Sequence, residues 1–192
     1  MNPNEHLYYA VNKPYGVLSQ FRDKFGRKTL SDTFKIPNDV YPVGRLDLDS
    51  EGLIILTNDR KLTDYLLNPV NNHEREYYAQ VEGIPSDDEL KKLEAGVVIE
   101  KKLTLPAIAK MIDAVNVWER IPPIRERKEI PTAWISLTLH EGRNRQVRKM
   151  TASVGHPTLR LIRVRIKNIL LNELKPGEMR QLTEKEISEF EY

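Results

Sequence analysis

The sequence contains no cysteine among its 192 residues. That excludes disulfide staples, cysteine-based zinc sites and thiol catalysis, and it fits a reducing compartment. No apolar run approaches the roughly 20 residues that span a bilayer. The start, Met1-Asn2-Pro3-Asn4-Glu5-His6, lacks the basic stretch followed by an apolar one that marks a secretory signal. A cytoplasmic setting without a membrane partner is therefore expected. No phosphate-cradling glycine loop of the G-x-x-x-x-G-K-[ST] or G-x-G-x-x-G type is present, and no serine sits in a G-x-S-x-G elbow. The four histidines (His6, His73, His140, His156) have no metal-ligand spacing. Neither a metal nor another cofactor is expected.

Charge is present in both signs but unevenly placed. The formal net charge is only +2. From His140 to Asn168, however, eight Arg/Lys stand against one acid, Glu141. From Pro37 to Asp59 five acids stand against one base, Arg45. A basic stretch is either a solvated face or the footprint of a polyanion binder.

Periodicity predicts an α+β fold. Leu7 to Val11 is a short strand entering a turn at Asn12-Lys13-Pro14. Leu53-Ile54-Ile55-Leu56-Thr57 suits a strand buried on both faces. Asn58 or Asp59 caps a helix that runs through Asn68 and stops at Pro69. Glu76 to Glu82, Thr132 to His140 and Ile162 to Lys167 alternate as strands with one buried face. In the last of these, Arg163, Arg165 and Lys167 fall opposite Ile162, Val164 and Ile166.

Ser86-Asp87-Asp88-Glu89 and Thr183-Glu184-Lys185-Glu186 are capping boxes, the first opening a helix that ends at Gly96. Asn144 to Val154 reads as a helix with Val147, Met150 and Val154 inward. These elements predict a mostly antiparallel mixed sheet with flanking helices. The proline-rich piece from Ile121 to Pro131 reads as a surface loop within one domain covering residues 1–192.

Two segments are dense in chemistry. Val43 to Gly52 sets Asp47, Asp49, Glu51 and Arg45 in a glycine-bounded loop ahead of the buried strand. Loops hung on rigid strands favour catalytic residues, although Asp47, Asp49 and Ser50 also suit a locally bonded turn. Glu141 to Met150 runs from strand through a glycine turn into a basic helix start. Arginine there opposes the helix macrodipole, so phosphates or a carboxylate should face it.

Gly44-Arg45-Leu46-Asp47 with Ser50 and Gly52, Lys13-Pro14 with Gly16-Val17, and Glu141-Gly142-Arg143-Asn144-Arg145-Gln146-Val147-Arg148-Lys149-Met150 resemble the three blocks of the RNA pseudouridine synthases. They stand in the family's order and cover nearly the whole chain. The branch resembled acts on small- and large-subunit ribosomal RNA. Many of its members begin with a small basic RNA-binding module; here the Lys-Pro block starts at residue 13, so no such module is expected.

The resemblance implies two lobes around a central cleft and a cofactor-free isomerisation of uridine in large-subunit ribosomal RNA, by a monomer. It assigns catalysis to Asp47, with Tyr77 stacking on the uracil and Arg148 facing the aspartate. It leaves open whether Asp47 attacks the sugar, attacks the base or promotes loss of a C2′ proton. Arg45 would take the place vacated by the flipped uridine. RNA contacts are expected from Arg143, Arg145, Gln146, Arg163, Arg165 and Lys13, and from Arg125 and Arg127 in the proline-rich loop.

Two other readings remain at this point. One is a non-catalytic ribosomal-RNA-binding factor on the same fold. The other is a glycoside hydrolase pairing Asp47 with Glu51.

Overall fold

The computed structural model describes residues 6–113, 115–124 and 130–190. The chain runs through β1 (Tyr8–Lys13), α1 (Leu30–Thr33), β2 (Tyr41–Pro42), β3 (Glu51–Thr57), α2 (Arg60–Leu67) and β4 (Arg75–Glu82). It continues through α3 (Asp87–Ala95), β5 (Val98–Ile99), β6 (Lys102–Leu103), β7 (Ile108–Met111) and β8 (Thr132–Leu139). The last elements are α4 (Gln146–Ser153), β9 (Thr158–Ile166), β10 (Ile169–Leu170), β11 (Met179–Gln181) and α5 (Glu184–Ser188).

Nine strands form one sheet in the order β11-β1-β3-β9-β4-β8-β7, with β10 on β9 and β2 on β3. Among the described strands, β3 and β9 pair in parallel and the other neighbours antiparallel. The parallel pair requires Gly52. A Cβ at this position would lie 2.3 Å from the Arg163 carbonyl oxygen, and its φ is +106°.

Every residue of β3 is buried. Leu53 and Ile55 pack with Leu62 and Leu66 of α2, while Ile54 and Leu56 pack with Val17, Leu30, Phe34 and Leu46. Each such side chain contributes about 1.5–3 kcal/mol by burial. The expected two-faced burial holds. Asp59 caps α2 by accepting from the Lys61 and Leu62 amides. Both predicted capping boxes form, at Ser86/Glu89 and Thr183/Glu186.

A separate core lies over β4 and β8. There Leu90 and Leu93 of α3 and Val147 and Met150 of α4 meet Ala79, Ile135 and Leu137. Tyr77 packs against this core and also against the cluster around Leu30 and Leu46. It therefore stands at the seam between the two lobes.

The strict alternation expected from Ile162 to Lys167 is broken. Glu76 pairs with Arg165 and Tyr77 with Arg163, leaving Val164 as a bulge. A bulge reverses the facing of the residues beyond it. Arg163 thus shares the Tyr77 side, and Arg165 the Glu76 side.

Candidate active site

The seam opens into a cavity of about 610 Å³ whose walls include Arg45, Asp47, Tyr77, Arg143, Arg145 and Arg163. Asp47 is held between two backbone anchors. The Ser19 hydroxyl donates to the Leu46 carbonyl at 2.8 Å and accepts from the Leu46 amide at 3.0 Å. The Gly16 amide donates to the Leu48 carbonyl at 2.9 Å. The turn after Lys13-Pro14 thus fixes the loop that carries Asp47.

Arg145 is the arginine that forms an ion pair with Asp47, and the Arg148 charge also acts on Asp47 from further away. The Arg145 Nη1 lies 3.4 Å from the Asp47 carboxylate. It also forks onto Asp49, donating at 2.9 and 2.8 Å. That bond, with the nearby Arg148 charge, holds the Asp49 carboxyl below the usual carboxylate range. The Asp49 partner in turn raises the Arg145 pKa.

Arg145 reaches this position from a left-handed backbone, φ +51°, at the start of α4. Such a conformation is uncommon for a non-glycine residue and tends to persist at functional sites. Arg148 lies deeper. It donates to the Asp49 carbonyl at 2.7 Å and the Thr158 carbonyl at 3.1 Å, with the Asp49 carboxylate 3.4 Å away. Burial pushes its pKa down. Arg148, expected to face Asp47, acts on it by charge and braces the loop through Asp49.

Tyr77 is partly buried, and its hydroxyl makes no hydrogen bond among the described residues. Arg75, two places before it, donates to the Leu66 carbonyl at 2.7 Å. Arg45 is exposed at the cavity and carries no ion pair among the described residues.

Several residues expected on RNA are committed inside the protein. Lys13 is fully buried and donates to the carbonyls of Pro14 and Val17, at 2.9 and 2.7 Å. Burial pushes its pKa down to about 8, against the pull of Glu51, Asp49 and Asp47. Arg165 donates to Glu76 at 2.9 Å and Glu74 at 2.8 Å, because the bulge turns it toward those acids.

Arg143 lines the cavity but spends its guanidinium on the carbonyls of Ile99, Lys102 and Leu103 in the β5–β6 hairpin. Gln146 is buried; it accepts from the Arg143 amide and donates to Glu141. Arg163 is buried in the cavity wall, its Nε donating to the Leu53 carbonyl at 2.8 Å. Its Nη2 is buried without a hydrogen-bond partner among the described residues. Arg125 and Arg127 lie outside the described residues.

Glu51 is fully engaged elsewhere. It accepts two bonds from Arg160, at 2.8 and 2.9 Å, and one from the Trp118 indole at 2.8 Å. It does not line the cavity with Asp47. The carboxylate pair that a glycoside hydrolase needs is therefore absent at these two positions.

The sequence profile of the RNA pseudouridylate synthase family matches residues 7–153. The chain belongs to this family. A pseudouridine synthase of Vibrio parahaemolyticus, "Ribosomal large subunit pseudouridine synthase E", is 50% identical over 171 residues, 89% of this chain and 71% of that protein. A protein of the same name from Xanthomonas axonopodis pv. citri is 50% identical over 173 residues, 88% of this chain and 90% of its own length. A crystal structure of a pseudouridylate synthase superposes with a TM-score of 0.81. It is 28% identical and covers 97% of this chain and 74% of the other. The two-lobed α+β architecture of this pseudouridine synthase is thus that of its family.

Proposed function

We propose that this enzyme isomerises a specific uridine of large-subunit ribosomal RNA to pseudouridine, with Asp47 as the catalytic carboxylate. One observation carries the reading. Asp47, Tyr77 and Arg145 come from three distant segments and meet in one cavity whose wall includes the buried Arg163. The names of two relatives 50% identical to this chain support the RNA class.

The reaction breaks the bond from C1′ to N1, turns the base and joins C1′ to C5. A proton leaves C5 and one is gained at N1, so no redox partner is required. The uridine must leave its stack, at a cost of a few kcal/mol. Arg45, exposed at the rim, has the planar cation that can stack in the vacated place. Tyr77 offers the extruded uracil an aromatic face on a rigid strand.

Asp47 presents its carboxyl group to the cavity. Arg145, already bonded twice to Asp49, stands at 3.4 Å. It keeps Asp47 oriented without a short hydrogen bond that would blunt its reactivity.

The test is a map of pseudouridines in ribosomal RNA from cells with and without the gene for this chain. One large-subunit position should lose its modification and regain it on complementation. An unchanged map would overturn the assignment.

A further inference from the structure

Outside the cavity, one surface segment combines cations and an exposed aromatic ring that the fold does not use. Residues 20–28 form a loop closed by the Leu18 amide donating to the Lys28 carbonyl at 2.9 Å and the Leu30 amide to the Gln20 carbonyl at 3.0 Å. Its base is Ser19, the residue that clamps Leu46 beside Asp47. Leu18 and Ser19 also line the cavity. The loop therefore begins at the wall of the active site.

The loop is built to present its tip. Asp23 accepts from the amides of Phe25 and Arg27, both at 3.0 Å, and forms an ion pair with Arg27 at 2.8 Å. This network holds the Asp23 carboxyl down at about 2. It also uses up the segment's one acid. Arg22, Lys24 and Lys28 make no ion pair among the described residues. Phe25 is 70% exposed, with the Lys24 ammonium 4.9 Å and the Arg27 guanidinium 5.3 Å from its ring centre.

Most of the Phe25 side chain lies in water. Beside the unpaired Lys24 and the Asp23-paired Arg27, such a group suits a ligand that is aromatic and anionic at once. Flipping the target uridine leaves its neighbours unstacked, and unstacked bases seek an aromatic face. We propose that the 20–28 loop is an RNA-docking element, with Phe25 stacking on an unpaired base next to the target uridine and Lys24 and Lys28 neutralising adjacent phosphates. This rests on the reading of the chain as an RNA-modifying enzyme, and it assigns an RNA contact to a segment outside the three sequence blocks.

The test measures binding of unmodified large-subunit ribosomal RNA transcript to the full chain between about 50 and 200 mM salt. Phe25→Ala should bind roughly 5- to 100-fold more weakly, and Phe25→Trp should restore the affinity. The double variant Lys24→Gln/Lys28→Gln should flatten the slope of log affinity against log salt by about 0.7 for each phosphate no longer neutralised. Unfolding midpoints report that the loop variants fold. Phe25→Ala binding within twofold of wild type, failure of Phe25→Trp to restore binding, or an unchanged salt slope would each overturn the proposal. Pseudouridine formation is read in the same samples. Its absence in wild type, with the Phe25 effect intact, would strike the catalytic reading and leave the docking element standing.

Discussion

Arg145 stands 3.4 Å from the Asp47 carboxylate while its two terminal nitrogens are hydrogen-bonded to Asp49. One guanidinium thus serves two carboxylates in different ways. Asp49 takes the short, directional bonds, and Asp47 takes the field. Arg148 completes the arrangement from behind by fixing the Asp49 backbone.

This division separates the two arginines experimentally. Arg145→Ala should lower the rate of pseudouridine formation by roughly 100-fold, the scale of losing one preorganised electrostatic partner. Its guanidinium is two-fifths exposed, so the unfolding midpoint should hardly change. Arg148→Ala strips the half-buried Asp49 and Thr158 carbonyls of their donor. It should cost about 2–4 kcal/mol of stability, visible as a lowered urea midpoint. Equal stability losses in the two variants would contradict the division.

Gly52→Ala should be among the most destabilising single changes in the chain. The added methyl would meet the Arg163 backbone at 2.3 Å, where the parallel β3–β9 pair closes. A cost of about 3 kcal/mol or more is expected from strain at such a site. Thermal unfolding measures it, and a midpoint equal to wild type would show that the strands can separate without penalty.

Lys13 gives a pH signature. The folded chain holds it at about 8, against 10.5 when solvated. Between those values the unfolded chain binds more protons, so stability from this group rises with pH and is complete above about 10.5. At neutral pH the same burial costs about 3 kcal/mol. Urea unfolding of wild type and Lys13→Met from pH about 7 to about 10.5 should show the wild type gaining on the variant across that window. A constant difference would contradict the burial of a charged lysine.

The sequence carried the elements well where periodicity decides. The buried run at Leu53–Leu56, the Asp59 cap and both capping boxes are local patterns, and each is found. What it could not carry depends on partners far along the chain. The bulge at Val164 arises where β9 pairs with β4, and it sends Arg165 to Glu74 and Glu76 instead of the cleft.

Lys13 looks like a surface cation until Pro14 and Val17 fold their carbonyls around it. Arg145, which forms the ion pair with Asp47, stands at a left-handed backbone angle that the sequence does not announce. Phe25 and its cations were visible as residues, but only the closed loop shows the ring 70% exposed with Lys24 and Arg27 beside it.

The central claim is that Asp47 performs the chemistry, and Asp47→Ala tests it most directly. Pseudouridine formation in unmodified large-subunit ribosomal RNA should fall on the order of 1,000-fold or more. The unfolding midpoint and the affinity for the same RNA should stay near those of the wild type, because Asp47 is more than one-third exposed and its ion pair with Arg145 is a loose one. A variant that forms pseudouridine at the wild-type rate would contradict the account.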